Sequence, residues 1–144
     1  MRNRVAVMHG VNLDALDRRP AEHYGGLTFS RLELEIEQFA RDLGLVARFF
    51  HTNHEGEFVE ELHKSSDYAD ALLLNPGAWT HYAWSLRDAV EVSGLPAVEV
   101  HLSDVDSREP FRRVSVLEGM CRAKVGGKGV DGYRDALEAL KAAL

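Results

Sequence analysis

The chain has 144 residues, 45% hydrophobic and 28% charged with four prolines, which excludes a disordered or collagen-like polypeptide and fits a single domain spanning 1–144. A formal net charge of −6 argues against general nucleic-acid binding, and no stretch approaches the roughly 20 apolar residues a membrane helix needs. The lone Cys121 has no intramolecular disulfide partner, and the apolar part of MRNRVAVMHG is too short for a signal-peptide core, so a cytoplasmic setting is expected.

Short apolar runs alternate with helical patterns from end to end, which predicts an α/β fold with a parallel sheet. RVAVMHG (4–10) reads as the first strand. The segment 11–27 has no periodicity, and a loop of that length in a compact domain is usually a lid, a binding loop or disordered; it carries Arg18, Arg19 and Tyr24. SRLELEIEQFARDL (30–43) opens with Ser30 and Glu33 as a capping box and sets Leu32, Ile36, Phe39 and Leu43 on one stripe, which predicts a helix packed on a sheet. LVARFFH (45–51), ALLLN (71–75), AVEVH (97–101) and RAKVG (122–126) read as further strands. Between and after them EFVEELHKS (57–65), HYAWSLRDAVEVS (81–93) and GYRDALEALKAAL (132–144) read as helices, the last with Tyr133, Leu137, Leu140 and Leu144 on its stripe.

In open parallel sheets, function collects just beyond the carboxyl ends of the strands. Here those ends read HGVNLD, HTNHEGE, NPGAWTH and HLSDVDSREPFRR, so four polar segments converge on one rim.

HTNHEGE (51–57) invites a metal reading, because His51, His54 and Glu55 would share one face of a helix. However, His51 ends a strand run, helical periodicity begins only near Phe58, and no second His or Cys cluster completes a shell, although His101 could come from another strand end. Asn53, Glu55 and Glu57 fit a helix start, where carboxylates favour the positive end of the dipole. GKGVDG (127–132) has the form G-x-G-x-x-G, but only twelve residues follow, too few for a dinucleotide unit, so these glycines are expected to shape the last strand-to-helix turn. No G-x-S-x-G is present, and Lys124 is the one candidate for a strand-end Schiff-base lysine. What remains on the rim is Asn, His, Arg and Tyr, an inventory suited to acid–base chemistry on a small polyol or acid. His101 is the natural acid, and Glu99, two residues earlier on the same strand face, could orient its ring.

Together GVNL (10–13), RRP and YGG (18–26), NHEGE (53–57), NPGAWTH (75–81), LRDA (86–89), EVHLS (99–103), SREPFR (107–112) and GKGVDGY (127–133) resemble the type II 3-dehydroquinate dehydratase family over nearly the whole chain. The resemblance implies a flavodoxin-like fold with a five-stranded parallel sheet in the order 2-1-3-4-5, and trimers that build a dodecamer. It implies dehydration of 3-dehydroquinate through an enolate, without metal, cofactor or Schiff base, in the shikimate pathway or in quinate catabolism. By position, Tyr24 would be the base and His101 the acid, Asn12 would hold a water on the enolate oxygen, and Arg19 and Arg112 would be the cations beside the tyrosine and the substrate hydroxyls. Asn75 and His81 would bind ring hydroxyls, and the Leu102 and Ser103 amides would bind the carboxylate. Glu99 would support His101, Arg108 would support the site, and Asp88 would reach in from a neighbouring subunit. Asn53, His54, Glu55 and Glu57 would then buttress the rim through hydrogen bonds to loops or across a subunit contact.

Physics favours arginines here. Tyrosine ionises near pH 10 and is a poor base at neutral pH. A guanidinium about 4 Å from a phenolate is worth about 4 kcal/mol at an effective dielectric of 20.

The chain departs from the family pattern in four places. His9-Gly10-Val11-Asn12 stands for NGPN, and the lid reads LDRRP for LGxREP, which makes Arg18 a second candidate for the lid cation. Asp104 and Asp106 replace the usual Asn and His, and residues 115–125 (SVLEGMCRAKV) carry charges where the family is apolar. These departures keep two alternatives in view: a divergent paralogue acting on a related cyclic hydroxy acid, and a non-enzymatic flavodoxin-like binding module. Against the latter, HGVNLD offers no phosphate-cradling turn after the first strand.

Overall fold

The structure, a computed structural model, describes residues 1–144. Its strands are β1 (Arg4–His9), β2 (Val46–His51), β3 (Ala71–Asn75), β4 (Ala97–Val100) and β5 (Ala123–Val125). They form one parallel sheet in the order β2-β1-β3-β4-β5, the flavodoxin-like arrangement expected from the sequence. Its helices are α1 (Ala21–Tyr24), α2 (Phe29–Asp42), α3 (Glu55–Lys64), α4 (Trp84–Ser93) and α5 (Asp131–Ala143). No helix is long and apolar enough to cross a membrane.

The central strands β1 and β3 read as nearly unbroken apolar runs because both faces of the sheet are covered there. Alternation along β1 and β3 sends Val5, Val7 and Leu73 to one side, where they meet Ile36 of α2 and Leu137 of α5. Ala6, Met8, Leu72 and Leu74 go to the other side, against Phe58 and Leu62 of α3 and Leu86 of α4. Lys124 lies exposed on β5 at the sheet edge, a position where charge discourages further strand pairing.

Two expectations need correction. The first turn of α2 is capped by Thr28, whose Oγ1 accepts from the Arg31 N–H at 3.2 Å, and not by Ser30 with Glu33. Thr28 is the residue with extended backbone, the conformation that aims a side-chain oxygen at the third helical amide, whereas Ser30 already lies inside the helix. The second correction concerns residues 11–27, which are structured. Two short 3-10 turns kinked at Ala15 span Leu13–Arg18, and α1 follows them. Leu13 and Leu16, on either side of the kink, are both buried, so this segment is fastened to the core by contacts that a 3.6-residue search does not detect.

The loops leaving β1 and β3 cross at backbone contact. A Cβ on Gly77, at φ +65°, would lie 2.5 Å from the Val11 carbonyl oxygen, and one on Gly10 would lie 2.4 Å from that of Pro76. Gly77→Ala is therefore expected to lower stability in urea unfolding by at least about 2 kcal/mol, since it adds left-handed strain to a backbone clash.

Candidate active site

A cleft of about 170 Å³ opens at the carboxyl ends of β1, β3 and β4 beneath the lid. Tyr24, the last residue of α1, hangs over it. Its Oη accepts hydrogen bonds from Arg19 Nη2 at 2.5 Å and from Arg108 Nη1 at 2.8 Å. Arg108 has a side chain only 9% exposed, and it also donates to Ser103 Oγ at 3.3 Å. The second cation on the phenol is thus Arg108, the residue expected to play a supporting part. Arg112 lines the cleft but donates to Glu109 at 2.7 Å. Arg18 is exposed on the outer side of the lid and does not line the cleft.

His101 lines the cleft just beyond β4. Its Nε2 lies 2.5 Å from Glu99 Oε2, as the alternation along β4 predicts. Glu99 is 1% exposed, and it also accepts from Ser115 Oγ at 2.7 Å and from Thr80 Oγ1. Burial opposes its charge, but the bonds from His101, Thr80 and Ser115 outweigh that and hold the carboxyl below the usual carboxylate range. With Nε2 committed to Glu99, Nδ1 is the nitrogen left for the cleft. His81 stacks on His101 with ring centroids 6.5 Å apart. His81 Nδ1 donates to the Val114 carbonyl at 2.7 Å, and burial lowers its affinity for a second proton.

The Leu102–Ser103 turn is held from behind. The Gly129 and Gly127 amides donate to the Leu102 and Ser103 carbonyls at 3.2 and 3.0 Å, so GKGVDG braces this loop as it turns from β5 into α5. No group of the chain accepts the Leu102 or Ser103 N–H, and both residues line the cleft. Asp104 and Asp106 do not line it; Asp104 packs beside Gly127, and Asp106 lies 3.8 Å from Lys124 Nζ.

Asn75, at the end of β3, lines the cleft while its Nδ2 donates to Tyr133 Oη at 2.9 Å. Tyr133 Oη lies 2.9 Å from His9 Nε2 in turn. His9 is fully buried with Nδ1 unpartnered, and burial, with a smaller effect of the neighbouring His51, lowers its pKa to about 3. The sequence placed Tyr133 among core residues; the sign of a second task was its hydroxyl, which needs a partner when buried on an apolar stripe. Thr80 and Ser115 carried no signal in the sequence, because each reaches Glu99 from a distant segment, and His9 was visible there only as a departure from the family pattern.

In HTNHEGE, β2 ends at His51 and α3 begins at Glu55, so His51, His54 and Glu55 do not share a helix face. Nowhere do three or more His, Cys, Asp or Glu side chains gather as a metal-ligand group. Asn53 bonds to the Asn12 amide and to Asp14, Glu57 accepts from Thr52, and Glu55 accepts from Ser85 at 2.7 Å, while His54 is exposed. Asp88 is exposed on α4, outside this chain's cleft.

Fold and cleft define a doubly wound α/β protein whose polar site lies at the carboxyl edge of its sheet. A sequence model of the family described as "Dehydroquinase class II" matches residues 3–141. The chain is 42% identical over 139 residues to the 3-dehydroquinate dehydratase of Pelotomaculum thermopropionicum, covering 96% of each chain. It is 39% identical over 136 residues to that of Leptothrix cholodnii, covering 94% of this chain and 91% of the relative. The crystal structure of type II dehydroquinase from Butyrivibrio crossotus superposes with a TM-score of 0.91 at 33% identity, covering 96% of this chain and 97% of that one. The chain belongs to the class II dehydroquinase family and is a dehydratase.

The His9 site makes a pH prediction. Its folded pKa is lowered to about 3 from an ordinary 6.5, so below pH 6.5 the unfolded chain takes up a proton that the folded chain refuses. Stability should fall as pH drops from about 6.5 toward 3, by up to about 1.4 kcal/mol per pH unit from this residue. His9→Asn should flatten that limb in urea titrations at stepped pH.

Proposed function

We propose that the chain dehydrates 3-dehydroquinate to 3-dehydroshikimate by anti elimination through an enolate, with Tyr24 as base and His101 as acid. The observation that carries this reading is the charge pattern of the cleft. Two guanidinium groups donate to the Tyr24 oxygen on one side of the cleft, while the buried Glu99 carboxylate backs the His101 ring on the other. Loss of water beside a ketone needs a base at the carbon and an acid at the departing hydroxyl, and these two groups, Tyr24 and His101, face the cleft in those places.

In this mechanism Tyr24 takes the C2 proton and the electron pair moves onto the carbonyl oxygen as an enolate. Asn12, on the cleft wall, holds a water against that oxygen. The enolate then collapses, a C1–C2 double bond forms, and the C1–O bond breaks as His101 protonates the departing hydroxyl, which leaves as water. The unengaged amides of Leu102 and Ser103 offer the substrate carboxylate two donors. Asn75, His81 and Arg112 meet the ring hydroxyls, and the lid excludes water above. Asp88 serves a neighbouring subunit's site in a trimer-based assembly, a dodecamer by the family resemblance. Asp104 and Asp106 lie outside the cleft, which supports 3-dehydroquinate itself over a related ring acid.

The purified protein should convert 3-dehydroquinate, followed by the absorbance of the conjugated enone, and a chelator should leave the rate unchanged. Tyr24→Phe should lower kcat by about 10²- to 10⁴-fold, the usual worth of a positioned base. Arg108→Ala should lower kcat more than Arg112→Ala does. Absence of turnover by the native protein overturns the proposal.

A further inference from the structure

We infer that Asn53 is a positioning residue for the reaction: it fixes the backbone of Asn12 so that the Asn12 side chain faces the cleft with no other task. The inference rests on the role proposed above for Asn12.

Asn12 is the only non-glycine residue of the chain with a positive φ, at 70°. Asparagine tolerates this left-handed conformation better than most residues, but something must hold it there. The Asn12 residue stands at the N-terminal cap of the first 3-10 turn of the lid, yet its side chain makes no capping bond. Its main chain is held instead. The Asn12 N–H donates to Asn53 Oδ1 at 2.8 Å, and the Asn12 carbonyl accepts from the Ala15 N–H at 3.1 Å.

The amide of Asn53 is used at both ends. While Oδ1 accepts from Asn12, Nδ2 donates to Asp14 Oδ2 at 3.2 Å, which sets the orientation of the amide group. His51 Nε2 lies 3.7 Å from the other Asp14 oxygen, beyond hydrogen-bond reach, so Asn53 is the residue that ties the start of this segment to the β2 end. Sheet register makes this reach possible. His9 pairs with His51, and the Thr52 amide continues the ladder onto the His9 carbonyl at 3.3 Å, so the two chains leave the sheet side by side. Asn53 itself does not line the cleft. It can act only through Asn12 and the lid.

Positioning predicts a loss in kcat with little change in KM, and non-additivity with Asn12. Asn53→Ala should lower kcat about tenfold and change KM less than twofold. In an Asn12→Ala background, adding Asn53→Ala should lower kcat less than twofold further. The rescue uses both contacts of Asn53. Asn53→Asp alone keeps the acceptor for Asn12 but sets two carboxylates together, and it should be slow. Combined with Asp14→Asn, it restores a donor–acceptor contact to the lid and should return kcat to within about threefold of the native enzyme. Additive losses, or a combined variant no faster than Asn53→Asp alone, overturn the inference. An Asn12→Ala enzyme with native kcat overturns the role of Asn12 first and this inference with it; a slow Asn12→Ala enzyme beside a native-like Asn53→Ala enzyme overturns this inference alone.

Discussion

The parallel register of β1 with its two neighbours is the constraint on which the site depends. His9 lies opposite His51 on one side and Asn75 on the other, so three strands end at one level and their loops leave over one rim. A slip of one residue would turn Asn75 to the opposite face of the sheet, away from Tyr133 on α5. The same register sets the Gly10 and Gly77 turns against each other at distances that admit no side chain. Precision in the cleft therefore begins with backbone hydrogen bonds, before any catalytic side chain is considered.

Upon that frame the chain builds two opposed electrostatic environments. One is positive, where Arg19 and Arg108 meet at a phenolic oxygen; the other is negative, where a carboxylate with almost no exposure backs an imidazole. A buried carboxylate is costly unless its lone pairs are engaged, and Glu99 has His101, Thr80 and Ser115 as donors. The donors arrive from three separate segments, so the ionic state of Glu99 depends on the fold as a whole.

Sequence made the scaffold readable because its signals are local. Apolar runs ending in polar residues marked four of the strand ends, and stripes such as Leu32, Ile36 and Phe39 marked a helix with its buried side. Glu99 and His101 could be paired because alternation along a strand reaches only two residues. Arg108 could not be assigned to Tyr24 in this way, because 84 positions separate them and an arginine's long side chain leaves its end point open until the fold is known. The same holds for Asn53 and Asn12, which are 41 positions apart. Residues 11–27 show no helical period in the sequence because their buried residues, Leu13 and Leu16, lie on either side of a kink at Ala15.

Asp106 and Lys124 were each a departure from the family pattern when read alone, and the fold sets them 3.8 Å apart. At the surface such a pair contributes little to folding, about 0–1 kcal/mol. Its weight falls elsewhere. Asp106 adjoins Val105 on the cleft wall, where an unbalanced carboxylate would repel an incoming anion over roughly a Debye length, and the ammonium of Lys124 cancels much of that field. The two charges then act as one electrostatic unit, and an aspartate without the lysine beside it would slow the capture of anions while leaving every group in the cleft in place.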